Sequence, residues 1–138
     1  MIGKIASIAL ALGMLAAPGW AQDGDLNAAP PPEPFVKVAD VLPLPEFLPG
    51  LGTLYVNPET LPAGPFLAYD HDGKLSATVY MTPIEELENG VSYDDLTLGA
   101  GTVTSVDIYY NAGHPGVEAP HAHVVLFHDD GAKARLAE

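Results

Sequence analysis

Short apolar runs alternate with tight turn signals along most of this chain, and the dominant period is two, the period of strands. Thr53-Leu54-Tyr55-Val56 is a β-branched and aromatic run bounded by Gly52 and Asn57-Pro58. Phe66-Leu67-Ala68-Tyr69 is followed by the turn signal Asp70-His71-Asp72-Gly73, and β character resumes from Leu75 to Met81. Two runs around such a turn predict a β-hairpin. Thr102 to Tyr110 is the strongest predicted strand, and His121 to Phe127 or His128 is the last.

One short helix is predicted over 83–89. Thr82 is the expected cap, Pro83 the first helical residue and Glu85 the partner in a capping box, with Asn89-Gly90 as the stop. Ile84 and Leu87 stand three apart and are expected to share its buried face. Residues 35–50 are apolar, but Pro43, Pro45 and Pro49 exclude a long helix or a central strand. That segment is expected to wrap the domain, burying Val36, Val38, Leu42, Leu44, Phe47 and Leu48. The predicted class is mainly β: a small antiparallel sheet or barrel-like domain over 35–130, with a minor helical part. Residues 131–138 read as a frayed tail.

The N-terminus changes the picture. Met1 to Lys4 is weakly positive, Ile5 to Ala17 is apolar, and Pro18-Gly19-Trp20-Ala21 supplies a breaker and small residues. This is the pattern of an export signal over 1–21, with cleavage expected after Ala21. An uncleaved anchor is the alternative, but the apolar run is short of the roughly 20 residues that span a bilayer. The expected location is the periplasm or outside the cell. Residues 22–34 (QDGDLNAAPPPEP) read as a Pro-rich linker.

Charge then narrows the partners. The sequence has 5 Lys and Arg against 18 Asp and Glu, and a formal net charge of −13. Lys4 would leave with the signal, so the processed chain would carry 4 − 18 = −14. Such a surface repels a phosphate backbone, so no nucleic-acid partner is expected, and none at an anionic membrane. No membrane span is expected after cleavage. There are no cysteines, which excludes thiol chemistry, cysteine-ligated zinc and iron–sulfur clusters. There is no Gly-x-Ser-x-Gly elbow and no phosphate loop.

The candidate chemistry lies in histidines. Of five, four fall near the C-terminal end: His114, His121, His123 and His128. On a strand His121 and His123 share a face with Cα atoms roughly 6.6 Å apart. Two imidazoles so placed can converge on one ion at about 2.0–2.1 Å. The preceding loop brings His114 and Glu118 within reach. Asp107 is a further candidate if strands 102–110 and 121–128 pair. With Tyr109 opposite His121 it faces His123; with Tyr110 opposite His121 it turns away, and the sequence leaves both registers open. His128 falls on the other face. His71 reads as a turn residue.

Imidazole and carboxylate without thiolate suit zinc, copper(II), nickel or iron(II), with zinc or copper the expected cofactor. The plain alternative is that these histidines are solvated or bonded to loop carbonyls. Three roles follow. The first is an exported domain binding a divalent metal; the second is a metal-dependent enzyme with a cupin-like His site; the third is a metal-free, oligomeric interaction module.

Two resemblances bear on this. His121-Ala122-His123 after Gly116 is similar to the first cupin motif, but no Glu follows at the expected place and little chain remains for a second motif. The chain more closely resembles a family of bacterial secreted proteins with a β-rich domain of unknown function. The matching elements are the turn Ala68 to Lys74, the strand–helix junction Met81 to Leu87, the loop Gly113-His114-Pro115-Gly116 and the strand Pro120 to Val125. His121 matches that family's first histidine, whereas His123 stands where aspartate is usual and Val125 where the second histidine is usual. The resemblance implies a β-rich exported domain and brings no activity with it.

Overall fold

Alternation along the predicted strands builds a single open sheet. In this computed structural model residues 25–138 are described. The expected export signal over 1–21, its cleavage point and the first residues of the expected linker lie outside the described residues. The strands are β1 (Val36–Lys37), β2 (Thr53–Val56), β3 (Phe66–Tyr69), β4 (Leu75–Pro83), β5 (Ser105–Asn111) and β6 (His121–Phe127). All pairs are antiparallel, in the order β1-β2-β3-β4-β6-β5. The sheet thus has edges at β1 and β5, and it is the open-sheet form of the expected class that is found.

The β3–β4 hairpin forms where its turn residues predict it. Asp70 Oδ1 accepts from the backbone N–H groups of Asp72 and Lys74, each at 2.9 Å. Gly73 closes the turn at φ +77°, a conformation that costs other residues.

Both faces are covered over the central strands, which is why β4 is buried at every position before Pro83, whereas the edge strand β5 leaves Val106, Ile108 and Tyr110 exposed. One face carries Leu54, Val56, Phe66, Ala68, Ala77, Val79, Val125 and Phe127 in one cluster. Over it lie Val38 from a one-turn helix α1 (Val38–Val41), Leu42, Leu44, Leu48 and Leu51 from the proline-rich wrap, and Val117. The opposite face carries Tyr55, Leu67, Tyr69 and Leu75, under Leu26, Ala29, Phe35 and Ala100.

Three local expectations are corrected. The helix α2 spans Ile84–Glu88, within the predicted range, but without the expected cap or buried face. Thr82 stays in β4, because β4 pairs with β6 as far as Pro83 opposite His121. No residue of α2 is buried, and Leu87 is 44% exposed. The expected linker is packed along part of its length. Ala28 bridges Lys74, Leu75 N–H donates to Asn27 O at 2.9 Å, and Tyr69 Oη donates to Leu26 O at 2.7 Å.

The expected tail is instead a helix, α3 (Ala132–Leu136), whose Leu136 is fully buried. Arg135 clamps it: Nε donates to Asp70 Oδ2 at 2.7 Å, and Nη1 and Nη2 fork onto Asp129 at 2.8 Å each. Burial works against the Asp70 carboxylate, but the Lys74 and Asp72 N–H groups and Arg135 together hold it below its ordinary pKa. Bonds from Arg135 hold Asp129 far below the usual carboxylate range. A short amphipathic segment such as GAKARLAE shows only Ala132 and Leu136 to the core, too weak a period to read in isolation.

Candidate metal centre

The phase of β6 sets the site. His121, His123, Val125 and Phe127 are buried, while the residues between them are only half-buried. β6 runs between β4 and β5, so each histidine is flanked on both sides. His121 lies between Pro83 and Asn111, and His123 between Met81 and Tyr109. This register lies two residues beyond the first of the two that the sequence leaves open. Asp107 therefore keeps the histidine face but pairs with Val125 instead of His123.

His114 reaches the same place from a turn. His114-Pro115-Gly116-Val117 has proline at its second position and glycine at φ +91° at its third, the residues a type II turn requires. His114 and Val117 exchange both backbone hydrogen bonds at 3.0 Å. Val117 is buried in the main cluster and pins the turn down. Gly113, at φ +125°, lets the loop pass against the carbonyl of Glu118, where any Cβ would collide.

Hydrogen bonds fix which nitrogens are free. His121 Nδ1–H donates to Ala119 O at 2.8 Å and His114 Nδ1–H to Pro115 O at 3.1 Å. A carbonyl only accepts, so in the neutral rings both Nε2 atoms carry lone pairs. His121 Nε2 and His123 Nε2 are 2.9 Å apart, so His123 supplies the proton between them. Its Nδ1 then accepts from Tyr109 Oη at 3.0 Å. The chain Tyr109 to His123 to His121 to Ala119 is thereby polarised in one direction. For both Nε2 atoms to hold an ion, His123 would have to carry its proton on Nδ1, where Tyr109 Oη would accept it. Each imidazole keeps an outer partner on its far side, as metal-ligating histidines do.

One nitrogen from each of His114, His121 and His123 lies within 4.8 Å of the others, so these residues can hold a metal ion. A separation of 2.9 Å between Nε2 atoms subtends about 90° at an ion bonded at about 2.0–2.1 Å. Tetrahedral coordination asks for a spacing of about 3.3–3.4 Å at that bond length, a small rotation away. Burial pushes the pKa of His123 down from 6.5 to about 4, with His121 and His114 adding to the effect. A neutral imidazole is the ligand form.

The other sequence candidates fall elsewhere. Asp107 Oδ2 accepts from Lys133 Nζ at 2.8 Å and lies outside the triad. Glu118 is exposed, beside His114 in a shallow surface depression, and is not in the triad either. His128 has both nitrogens committed on the opposite face. Nδ1–H donates to Thr102 O at 2.6 Å, and Nε2 accepts from Thr78 Oγ1 at 2.8 Å. His71 is exposed in its turn and stacks on Phe47 at 3.7 Å between ring centroids. Tyr109 and Asn111 are the site neighbours that sequence reasoning missed. Their signal was present in the alternation of Asp107, Tyr109 and Asn111 along β5.

A cavity of about 290 Å³ opens beside the triad, between the sheet and the wrap. His114, His123, Tyr109 and Asn111 contribute its polar wall, and the rest is apolar. Among the described residues no helix is long and apolar enough to cross a membrane.

Together these features define a β-sheet domain with two buried histidines and a half-buried third beside a largely apolar cavity. No family model matches the chain, and no curated protein matches it. Among solved structures it is similar to the hypothetical protein TTHB210 from Thermus thermophilus, with 41% identity and a TM-score of 0.60. The match covers 69% of this chain and 94% of that one. The likeness extends to sequence as well as fold, and carries no activity.

Proposed function

We propose that this protein is an exported domain that binds a divalent metal ion, zinc or copper, through His114, His121 and His123. The observation that carries this reading is the arrangement of outer partners. His121 and His123 are each held through Nδ1 with their Nε2 atoms 2.9 Å apart, His114 is held through Nδ1, and one nitrogen of each of the three lies within 4.8 Å of the others. An all-imidazole set suits either ion, and the near-90° spacing of His121 and His123 suits the tetragonal preference of copper(II) as it stands. Export is supported by the sequence pattern of residues 1–21.

The test is metal content after exhaustive dialysis against zinc or copper. The unsubstituted protein is expected to retain about one ion, and the His121→Ala/His123→Ala double variant none. Equal retention by both, with circular dichroism showing both folded, refutes the site. A catalytic reading is favoured by one observation: three protein ligands leave a coordination position, and the cavity adjoins it.

A further inference from the structure

The cavity beside the triad is sharply divided in its chemistry. Leu44, Leu48, Leu51, Leu54, Phe66 and Met81 make apolar walls from the wrap on one side and from the sheet on the other. The polar groups are clustered: His123 touches Tyr109 and His114, and Asn111 is next along β5. Among the described residues no Lys or Arg lines the cavity. A ligand filling it must therefore be mostly hydrocarbon, with one polar head, and an anionic head finds its countercharge only in an ion held by the triad.

Size limits the ligand further. A water-sized group takes about 30 Å³. A space of about 290 Å³ then accommodates on the order of ten non-hydrogen atoms. From this we propose that the cavity takes a medium-chain carboxylate, its carboxylate on the metal's open position and its chain of about eight carbons against the leucine-rich wrap. This inference rests on the metal site proposed above.

Isothermal titration of the metal-loaded protein with octanoate, hexanoate and acetate tests it. Burial of each methylene strengthens binding about fourfold, so octanoate should bind about fifteenfold more tightly than hexanoate. Acetate should bind far more weakly than either. A Leu48→Arg variant should keep its metal and lose at least tenfold in octanoate affinity. The same titration after metal removal should show octanoate binding lost.

Three outcomes overturn the inference, and they are distinct. A metal-loaded protein that binds acetate as tightly as octanoate has no chain-binding cavity. Octanoate binding that is unchanged by metal removal shows that no ion anchors the head. Wild-type protein that takes up no metal defeats the metal proposal itself, and this inference with it. The chain-length series uses the unsubstituted protein, so misfolding of Leu48→Arg leaves the inference fully testable.

Discussion

Acidification of the metal-free protein should unfold it in a window set by one imidazole. His123 is held neutral in the fold, with a pKa of about 4 against 6.5 in the unfolded chain. As pH falls below 6.5 the unfolded chain takes up this proton first, so the stabilisation is complete above 6.5 and lost down to about 4. At 1.36 kcal/mol per unit, the full loss is about 3 kcal/mol, of which about 2 kcal/mol is gone by pH 5. Asp70 and Asp129 are held below their ordinary pKa, so their contribution is lost only below the usual carboxylate range. The two windows therefore separate. The assay is urea unfolding in chelator at pH 7 and pH 5, on the wild type and His123→Gln. The variant should lose about 2 kcal/mol less than the wild type over that interval. Identical losses refute the argument that burial of this ring carries the acid sensitivity.

Other perturbations probe the site and its supports. Tyr109→Phe removes the hydroxyl bonded to the buried His123 Nδ1; it should lower metal affinity about 10- to 100-fold, read by competition with a chelator dye, and cost the metal-free protein about 1–3 kcal/mol in urea unfolding. Gly113→Ala places a Cβ against the Glu118 carbonyl at a positive φ, so it should displace His114 and weaken metal retention more than it weakens the fold. Leu136→Ala empties a fully buried position under α3 and should cost about 2–5 kcal/mol in urea unfolding. A value near zero for that variant would show that α3 does not close the core.

The sheet was legible because its signals are local. Asp70-His71-Asp72-Gly73 specifies a turn by itself, and the runs on either side pair as their period requires. His121 and His123 were readable for the same reason, since period two puts both on one face whatever their neighbours do. Long-range choices were not readable. Whether Asp107 meets His123 depends on the register between β5 and β6, which turn length and face burial fix only in three dimensions. Thr82 has the chemistry of a cap, but the β4–β6 ladder claims its backbone. Arg135 in a polar tail gives no hint that it will meet Asp70 and Asp129, the first of which lies 65 residues away.

The placement of hydrogen-bonded imidazoles on both sides of β6 has a meaning apart from any ion. His121 and His123 find their partners below the sheet, and His128 finds Thr78 and Thr102 above it. Sliding this strand by a single position would exchange the sides and strip His123 of Tyr109 and His128 of Thr78 and Thr102 at once, while the local bond of His121 to Ala119 travels with the strand. Each buried polar group so orphaned costs about 1–3 kcal/mol, a sum comparable with the whole stability of a small domain. The histidines thus act as keys that admit one alignment of the final strand and reject its nearest misfolded competitors.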